Sequence, residues 1–320
     1  MNATDPVVLP SATDLYTAAA RVGGIVRRTP VYEIDGQEFG VAGARVIVKL
    51  ELLQHTGSFK VRGALNTLLA GPVPSDGVVA ASGGNHGAAV AWAAARVGVP
   101  ARIFVPSTSP PVKAARVASY GAEVVVVDGY YPDAWVASQK WAEGRAVAQI
   151  HAYDAPEVVA GQSTLGLELA EQVPEASTVL VSCGGGGLFA GVTLAMGETL
   201  PDSRVVPVEP ERCPTLHTAL VAGSPVQAEV GGVAADSMGA AAAGRIAHAV
   251  ASQHGVQPVL VPDDAIVAAR TFLWERCRIL AEPGGATAFA ALHSGAFRPE
   301  PGETVVVVIS GANTTELPGS

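Results

Sequence analysis

The chain is expected to be an α/β protein of two open parallel-sheet α/β domains, with its site in the cleft between them. Three observations lead there. Short β-type runs and helical runs alternate from Val78 to Ile150, and a second α/β series runs from Pro156 to Ser310. Wholly apolar runs such as Val305-Val306-Val307-Val308-Ile309 suit parallel strands covered on both faces. Two strand-to-helix turns are dominated by small residues: Ser82-Gly83-Gly84-Asn85-His86-Gly87 and Ser182-Cys183-Gly184-Gly185-Gly186-Gly187-Leu188. Open α/β sheets bind ligands at such turns.

In chain order, Ser11-Ala12-Thr13-Asp14 starts a helix, with an acid three positions after the serine, and the helix ends before Pro30. Arg45–Leu50 is a short strand. Gly57 is a turn former, and Ser58 is read as the start of a helix that runs to about Leu69. The connection Gly71-Pro72-Val73-Pro74-Ser75-Asp76-Gly77 is rich in breakers. Strands at 78–81, 101–105, 123–127 and 146–150 then alternate with helices at 88–97, 111–120 and 133–143. Beyond Pro156 come helices at 156–172, 188–200, 263–276 and 285–293, and strands at 178–182, 204–208 and 304–310. The expected division is a larger domain from 1–70 and 151–320 and a smaller one, 71–150, that carries the 82–87 loop. No long repeat and no low-complexity tract interrupts the pattern.

Composition narrows the function. The 320 residues are 49% hydrophobic and 15% charged, with a net charge of −9, which suits a compact enzyme and not a disordered chain. Basic residues are scattered, so no nucleic-acid footprint is expected. The most apolar stretch, 87–105, is interrupted by Arg96, Pro100 and Arg102, so no membrane span is expected. Cys183, Cys213 and Cys277 are too few and too far apart for a disulfide framework or a zinc site. With no basic-then-apolar segment in Met1–Pro10, a reducing cytoplasm is the expected location.

Lys60 is one of four lysines. It falls in the first turn of its helix, where backbone N–H groups and the dipole already supply positive charge. A neutral amine, or one bound covalently to a carbonyl, suits that place better than an ammonium; a surface lysine on an amphipathic helix is the ordinary alternative. The 82–87 loop reads equally as an anion cradle or as a tight turn. Four consecutive glycines, 184–187, lose much chain entropy on ordering, which a bound phosphate would offset; a hinge is the alternative. Neither P-loop nor GxGxxG spacing is present. Ser310, at the end of the last buried strand, could bond a ring nitrogen or simply end a turn. Glu282 precedes a helix as a site acid or a cap.

Taken together, these segments resemble the pyridoxal-phosphate-dependent serine/threonine dehydratases of the tryptophan synthase β-like fold (fold type II). The resemblance runs from Arg28-Thr29-Pro30 to Asn313. It rests on Lys49-Leu50-Glu51, Thr56-Gly57-Ser58-Phe59-Lys60-Val61-Arg62-Gly63-Ala64, Ser82–Gly87, the glycine tetrad, Glu282-Pro283 and Ser310-Gly311, in that order. It implies that the larger domain binds pyridoxal phosphate and that Lys60 forms a Schiff base with it. Phe59 would pack by the ring, Asn85 would bond the ring hydroxyl, Gly184, Gly185, Gly186 and Gly187 would cradle the phosphate, and Ser310 would face the ring nitrogen. Ser58, Ser82, Gly83, Asn85 and His86 would line the substrate side. The implied activity is β-elimination from a small β-hydroxy amino acid such as L-threonine or L-serine, giving a 2-oxo acid and ammonia, by a homodimer.

Departures from the family pattern shape further expectations. Related serine racemases carry a serine where this chain has Gly83, so racemisation is disfavoured. Those relatives also bind a divalent cation through a Glu and a later Asp. Glu209 matches the first, but Thr215 stands in the second place, which leaves a mono- or divalent cation doubtful. Only about ten residues follow Ser310, so feedback through a C-terminal regulatory domain is not expected. A 3-hydroxyaspartate dehydratase, a racemase and an idle amino-acid sensor are the competing functions.

Overall fold

The computed structural model describes residues 6–72 and 74–318. Met1–Asp5, which share in the N-terminal expectation, and Val73 in the breaker-rich connection lie outside the described residues. The chain begins α1 (Ala12–Val22), β1 (Val31–Ile34), β2 (Arg45–Lys49) and α2 (Lys60–Leu69). It continues β3 (Val78–Ala81), α3 (Asn85–Val97), β4 (Ala101–Pro106), α4 (Pro111–Ser119), β5 (Glu123–Val127), α5 (Tyr131–Ala142) and β6 (Ala148–Gln149). Next come α6 (Pro156–Gln172), β7 (Thr178–Ser182), α7 (Gly187–Thr199), β8 (Arg204–Pro210), α8 (Thr215–Ala222) and α9 (Ala235–Met238). The last elements are α10 (Arg245–His254), β9 (Val259–Val261), α11 (Asp263–Cys277), α12 (Pro283–His293) and β10 (Thr304–Val308).

Two sheets form. The six-stranded one has the order β1-β2-β10-β7-β8-β9, and the four-stranded one β5-β4-β3-β6. Every pairing is parallel except that of β1 with β2, an antiparallel edge absent from the sequence expectation. Strand β10 is fully buried, and its residues alternate between two cores. Val305, Val307 and Ile309 pack with α11 and α12, while Val306 and Val308 pack with α6, α7 and α10. An apolar side chain on both faces is what a central parallel strand requires.

Helix α2 packs on the smaller sheet, since Val61, Ala64, Leu65 and Leu68 share a core with β3, α3 and β4. It also lies close against α6. A Cβ at Gly161 would come within 2.6 Å of Arg62 O, and one at Gly63 within 3.0 Å of Val158 O. A buried ionic network fixes the same contact. Arg62 donates to Glu51 Oε1 at 2.6 Å and to Glu168 Oε2 at 3.0 Å, and Lys49, itself paired with Glu168, donates to Thr29 O at 2.6 Å. Two cations and two carboxylates balance there, and losing one partner of such a pair typically costs about 3–5 kcal/mol.

The expected helix start at Ser58 is not the one found. Ser58 is extended and bridges Gly311 antiparallel, and the helix begins at Lys60 with Phe59 as its cap. The reason lies just upstream. Thr56 (φ 59°) and Gly57 (φ 74°) are both left-handed, which turns the chain so that Ser58 pairs with the end of β10 instead of capping.

Candidate active site

The segment ahead of Lys60 is pinned to the segment after β10. Phe59 N donates to Ser310 O at 3.2 Å, and Ala312 N donates to Gly57 O at 2.9 Å. Lys60 therefore opens α2 directly above the carboxyl edge of the larger sheet. Its amine turns inward and donates to Ala152 O at 2.8 Å, with the Phe59 ring centroid 5.0 Å away. Burial lowers its pKa to about 8, so the neutral amine is accessible near neutral pH.

Strand β7 pairs with β10, so the glycine tetrad leaves the sheet beside Ser310. Gly186 is left-handed (φ 85°) and Gly187 is the first residue of α7. A Cβ at Gly185 would lie 2.4 Å from the Tyr153 ring, one at Gly186 2.3 Å from Ala247 Cβ, and one at Gly187 2.6 Å from Tyr153 O. The N–H groups of these four glycines meet no acceptor among the described residues. That is a cradle for an anion, closed to any larger residue.

Asn85 opens α3. Its amide donates to Glu282 Oε1 at 2.6 Å and its oxygen accepts from Asn313 Nδ2 at 2.5 Å. Glu282 is buried, and burial lifts its pKa to about 7 against the pull of the Asn85 bond. Three buried oxygens nearby, Ser58 Oγ, Thr56 Oγ1 and Asn313 Oδ1, have no hydrogen-bond partner. Unpaired groups of this kind are costly, and their gathering at one place marks a ligand surface. Ser82 Oγ accepts from Gly84 N at 3.1 Å and shapes the loop. A Cβ at Gly83 would lie 2.3 Å from Ser109 Oγ. His86 points elsewhere: Nε2 donates to Ile150 O at 2.9 Å, and burial lowers its pKa to about 3, so the ring stays neutral. Any part it plays in anion recognition falls to its backbone N–H.

Phe59, Lys60, Asn85, the four glycines and Ser310 border one cleft. Tyr153, Ser237 and Met238 border it too, and the sequence reading missed all three. Tyr153 had a usable signal, since it follows β6 and precedes the Pro156 helix and so lies at the same sheet edge as the 82–87 loop. A larger cleft of about 460 Å³, bordered by Asp14, Arg21, Asn66 and Glu157, has no such constellation.

Glu209 sits apart from this cleft. Its carboxylate caps α8, accepting from Leu216 N at 2.7 Å, His217 N at 2.8 Å and Thr215 Oγ1 at 2.9 Å. Burial still lifts its pKa to about 7. Among the described residues no three His, Cys, Asp or Glu side chains gather as a metal would need, and a cation at Glu209 would compete with the α8 N–H groups.

A buried lysine amine and a row of unpaired glycine N–H groups in one cleft suit an enzyme that binds an anionic ligand beside a reactive amine. The model of the pyridoxal-phosphate dependent enzyme family matches residues 22–311, and the chain belongs to that family. It is 38% identical over 304 residues to an L-threonine ammonia-lyase of Geobacter sulfurreducens, covering 94% of this chain and 75% of that one. It is 36% identical to a phenylserine dehydratase of Ralstonia pickettii, covering 98% and 96%. Its backbone is similar to that of maize serine racemase, with a TM-score of 0.89 at 31% identity over 96% of this chain and 94% of that one. The cradle, the amine and the unpaired hydroxyls fit pyridoxal phosphate.

Proposed function

We propose that the protein dehydrates and deaminates a β-hydroxy amino acid such as L-threonine or L-serine to a 2-oxo acid and ammonia. The observation that carries this is the Lys60 amine, with a pKa of about 8, in the same cleft as the four unpaired glycine N–H groups. Relatives named L-threonine ammonia-lyase and phenylserine dehydratase support the same chemistry.

Pyridoxal phosphate, when bound, supplies an aldehyde carbon for amine capture and a ring that delocalises negative charge from the substrate Cα. Gly184, Gly185, Gly186 and Gly187 would hold its phosphate by their N–H groups, and Ser310, Asn85 and Phe59 would hold its ring. Ser58 Oγ and Thr56 Oγ1 donate to the substrate carboxylate together with the N–H groups of the 82–87 loop. Lys60 Nζ removes the Cα proton, since a base with a pKa near the working pH transfers protons best. His151 Nδ1 accepts from Tyr153 N at 3.2 Å and Asp154 N at 2.8 Å, which fixes the neutral tautomer with its proton on Nε2.

Racemisation, suggested by the serine racemase likeness, is disfavoured by Gly83. That position carries no hydroxyl, and Ser109 fills the space beside it. We further propose a larger domain, 1–70 with 151–320, and a smaller one, 71–150, supported by the two separate sheets. No helix among the described residues is long and apolar enough to cross a membrane, and we propose a cytoplasmic homodimer.

The test is a panel of β-hydroxy amino acids, both enantiomers, scored for 2-oxo acid and ammonia with wild type and Lys60→Ala. Turnover and the visible absorbance of lysine-bound cofactor should both vanish in the variant. Deamination at near wild-type rate by Lys60→Ala would remove the proposal.

A further inference from the structure

Residues 150–154 cross from the smaller sheet to the larger, and they carry the acceptor of the Lys60 amine, Ala152 O. The side chains on either side of that carbonyl are aromatic. The His151 and Tyr153 rings meet edge to face, 4.8 Å between centroids at 82°. The Trp135 ring stands 6.4 Å from His151 at 75°. Tyr131 opens α5 one turn before Trp135 and so shares its face of the helix, with half of it exposed. Tyr153 is held from behind, its hydroxyl donating to Ala242 O at 3.2 Å and its ring resting on Gly185.

We propose that Tyr131, Trp135, His151 and Tyr153 form a wall beside Lys60 that receives an aryl group on the substrate Cβ, so that the preferred substrate is an aromatic β-hydroxy amino acid. This rests on the dehydratase function proposed above and names its substrate class. The Cα from which Lys60 takes a proton lies within hydrogen-bonding reach of Nζ, and Cβ is one bond further. Tyr153 borders the cleft that holds Lys60, so a β-substituent that turns away from the polar 82–87 loop would meet the wall first at Tyr153 and the His151 ring packed on it. The wall carries no charge: His151 is fixed neutral by the two N–H groups on Nδ1, and burial lowers its pKa further. The edge-to-face arrangement of His151 with both neighbours is the geometry aromatic rings prefer, and a substrate ring can extend it. A methyl group, as in threonine, would touch only a small part of that surface. Two wall residues come from α5 of the smaller sheet and two from the crossover, so an aryl group would also bridge the parts of the molecule that border the cleft.

The experiment compares kcat/KM for 3-phenylserine and threonine in the holoenzyme. The wild type should favour phenylserine by about tenfold or more, the scale at which a well-shaped apolar pocket discriminates. Tyr131→Ala and Trp135→Ala should each lower the phenylserine-to-threonine ratio by about tenfold, while Tyr131→Phe, which keeps the ring, should preserve it. A second readout needs no turnover: L-phenylalanine and L-alanine are titrated against the cofactor absorbance, and Tyr131→Ala should lower the ratio of their affinities in the same way. A wild type without preference for phenylserine overturns the proposal, as do variants whose ratios stay within about twofold of wild type. Absence of 2-oxo acid from either substrate would instead overturn the dehydratase function itself.

Discussion

Asn85 and Glu282 are 197 positions apart, and the Asn85 amide donates to Glu282 Oε1 at 2.6 Å. One opens α3 on the smaller sheet and the other caps α12 on the larger, so this single bond ties the two sheets together across the cleft. Glu282 carries a burial cost, because its pKa rises from 4.5 to about 7. Between those pH values the folded chain holds a proton that the unfolded chain has released. Stability from this group is therefore greatest at low pH and falls as pH rises towards 7, by about 3 kcal/mol in all. Glu282→Gln keeps an oxygen for Asn85 and has no charge to bury. Thermal melts of the cofactor-free protein should show the variant above wild type at pH 8, with the difference gone near pH 4.5. A gap that persists at low pH would mean that ionisation is not its cause.

Lys60 gives the opposite sign of effect. Its pKa falls from 10.5 to about 8 through burial, so the unfolded chain binds the extra proton between those values and stability from this group rises with pH across that window. The same shift controls capture of the cofactor, which needs the neutral amine. The rate at which cofactor-free protein takes up pyridoxal phosphate should climb with pH and level off above about 8, read as absorbance growth in stopped flow. A midpoint near the ordinary lysine value would show that the amine is not desolvated.

Gly185 has no room for a side chain, since a Cβ would press on the Tyr153 ring at 2.4 Å. Gly185→Ala should weaken pyridoxal phosphate binding by at least about tenfold, because ring and loop must move apart and the cradle N–H groups go with them. Pairing it with Tyr153→Gly removes the obstacle and should restore most of the affinity. Equilibrium dialysis of both variants decides it. Equal losses in the two would place the cause in the loop itself.

Gly83 faces Ser109, whose hydroxyl lies 2.3 Å from the place a Cβ would occupy. Gly83→Ser alone should therefore disturb the 82–87 loop and raise KM, without producing racemase activity. Gly83→Ser with Ser109→Gly clears the space, and KM should return towards wild type. Chiral chromatography of the residual amino acid and steady-state kinetics read the two effects separately.

Much of this architecture is visible in the sequence because it rests on local rules. Apolar five-residue runs become the central strands, and glycine tracts at strand ends become the anion turns. The parts that escape notice depend on distant partners. Ser58 looks like a helix cap until Gly311, from the other end of the chain, takes its backbone. Arg62, Glu51, Lys49 and Glu168 are charged and would ordinarily be placed at the surface; they are buried because each has an opposite charge waiting. Strand β9 has three residues and α9 four, too short for any periodicity to register. Tyr153 belongs to no helix or strand, and its contact with Gly185 exists only after the crossover is laid over the cradle.

The helices that border the cleft begin at Lys60, Asn85, Gly187 and Pro283, so the cleft draws on nearly the whole length of the chain. Contacts of such long sequence separation form late, because long loops must close before they are rewarded. A nascent chain that has completed the smaller sheet owns Lys60 and Asn85 but neither cradle nor Glu282. A fragment that stops short of α7 has the amine without the glycine turn, and one that stops short of α12 lacks Glu282 as the partner of Asn85.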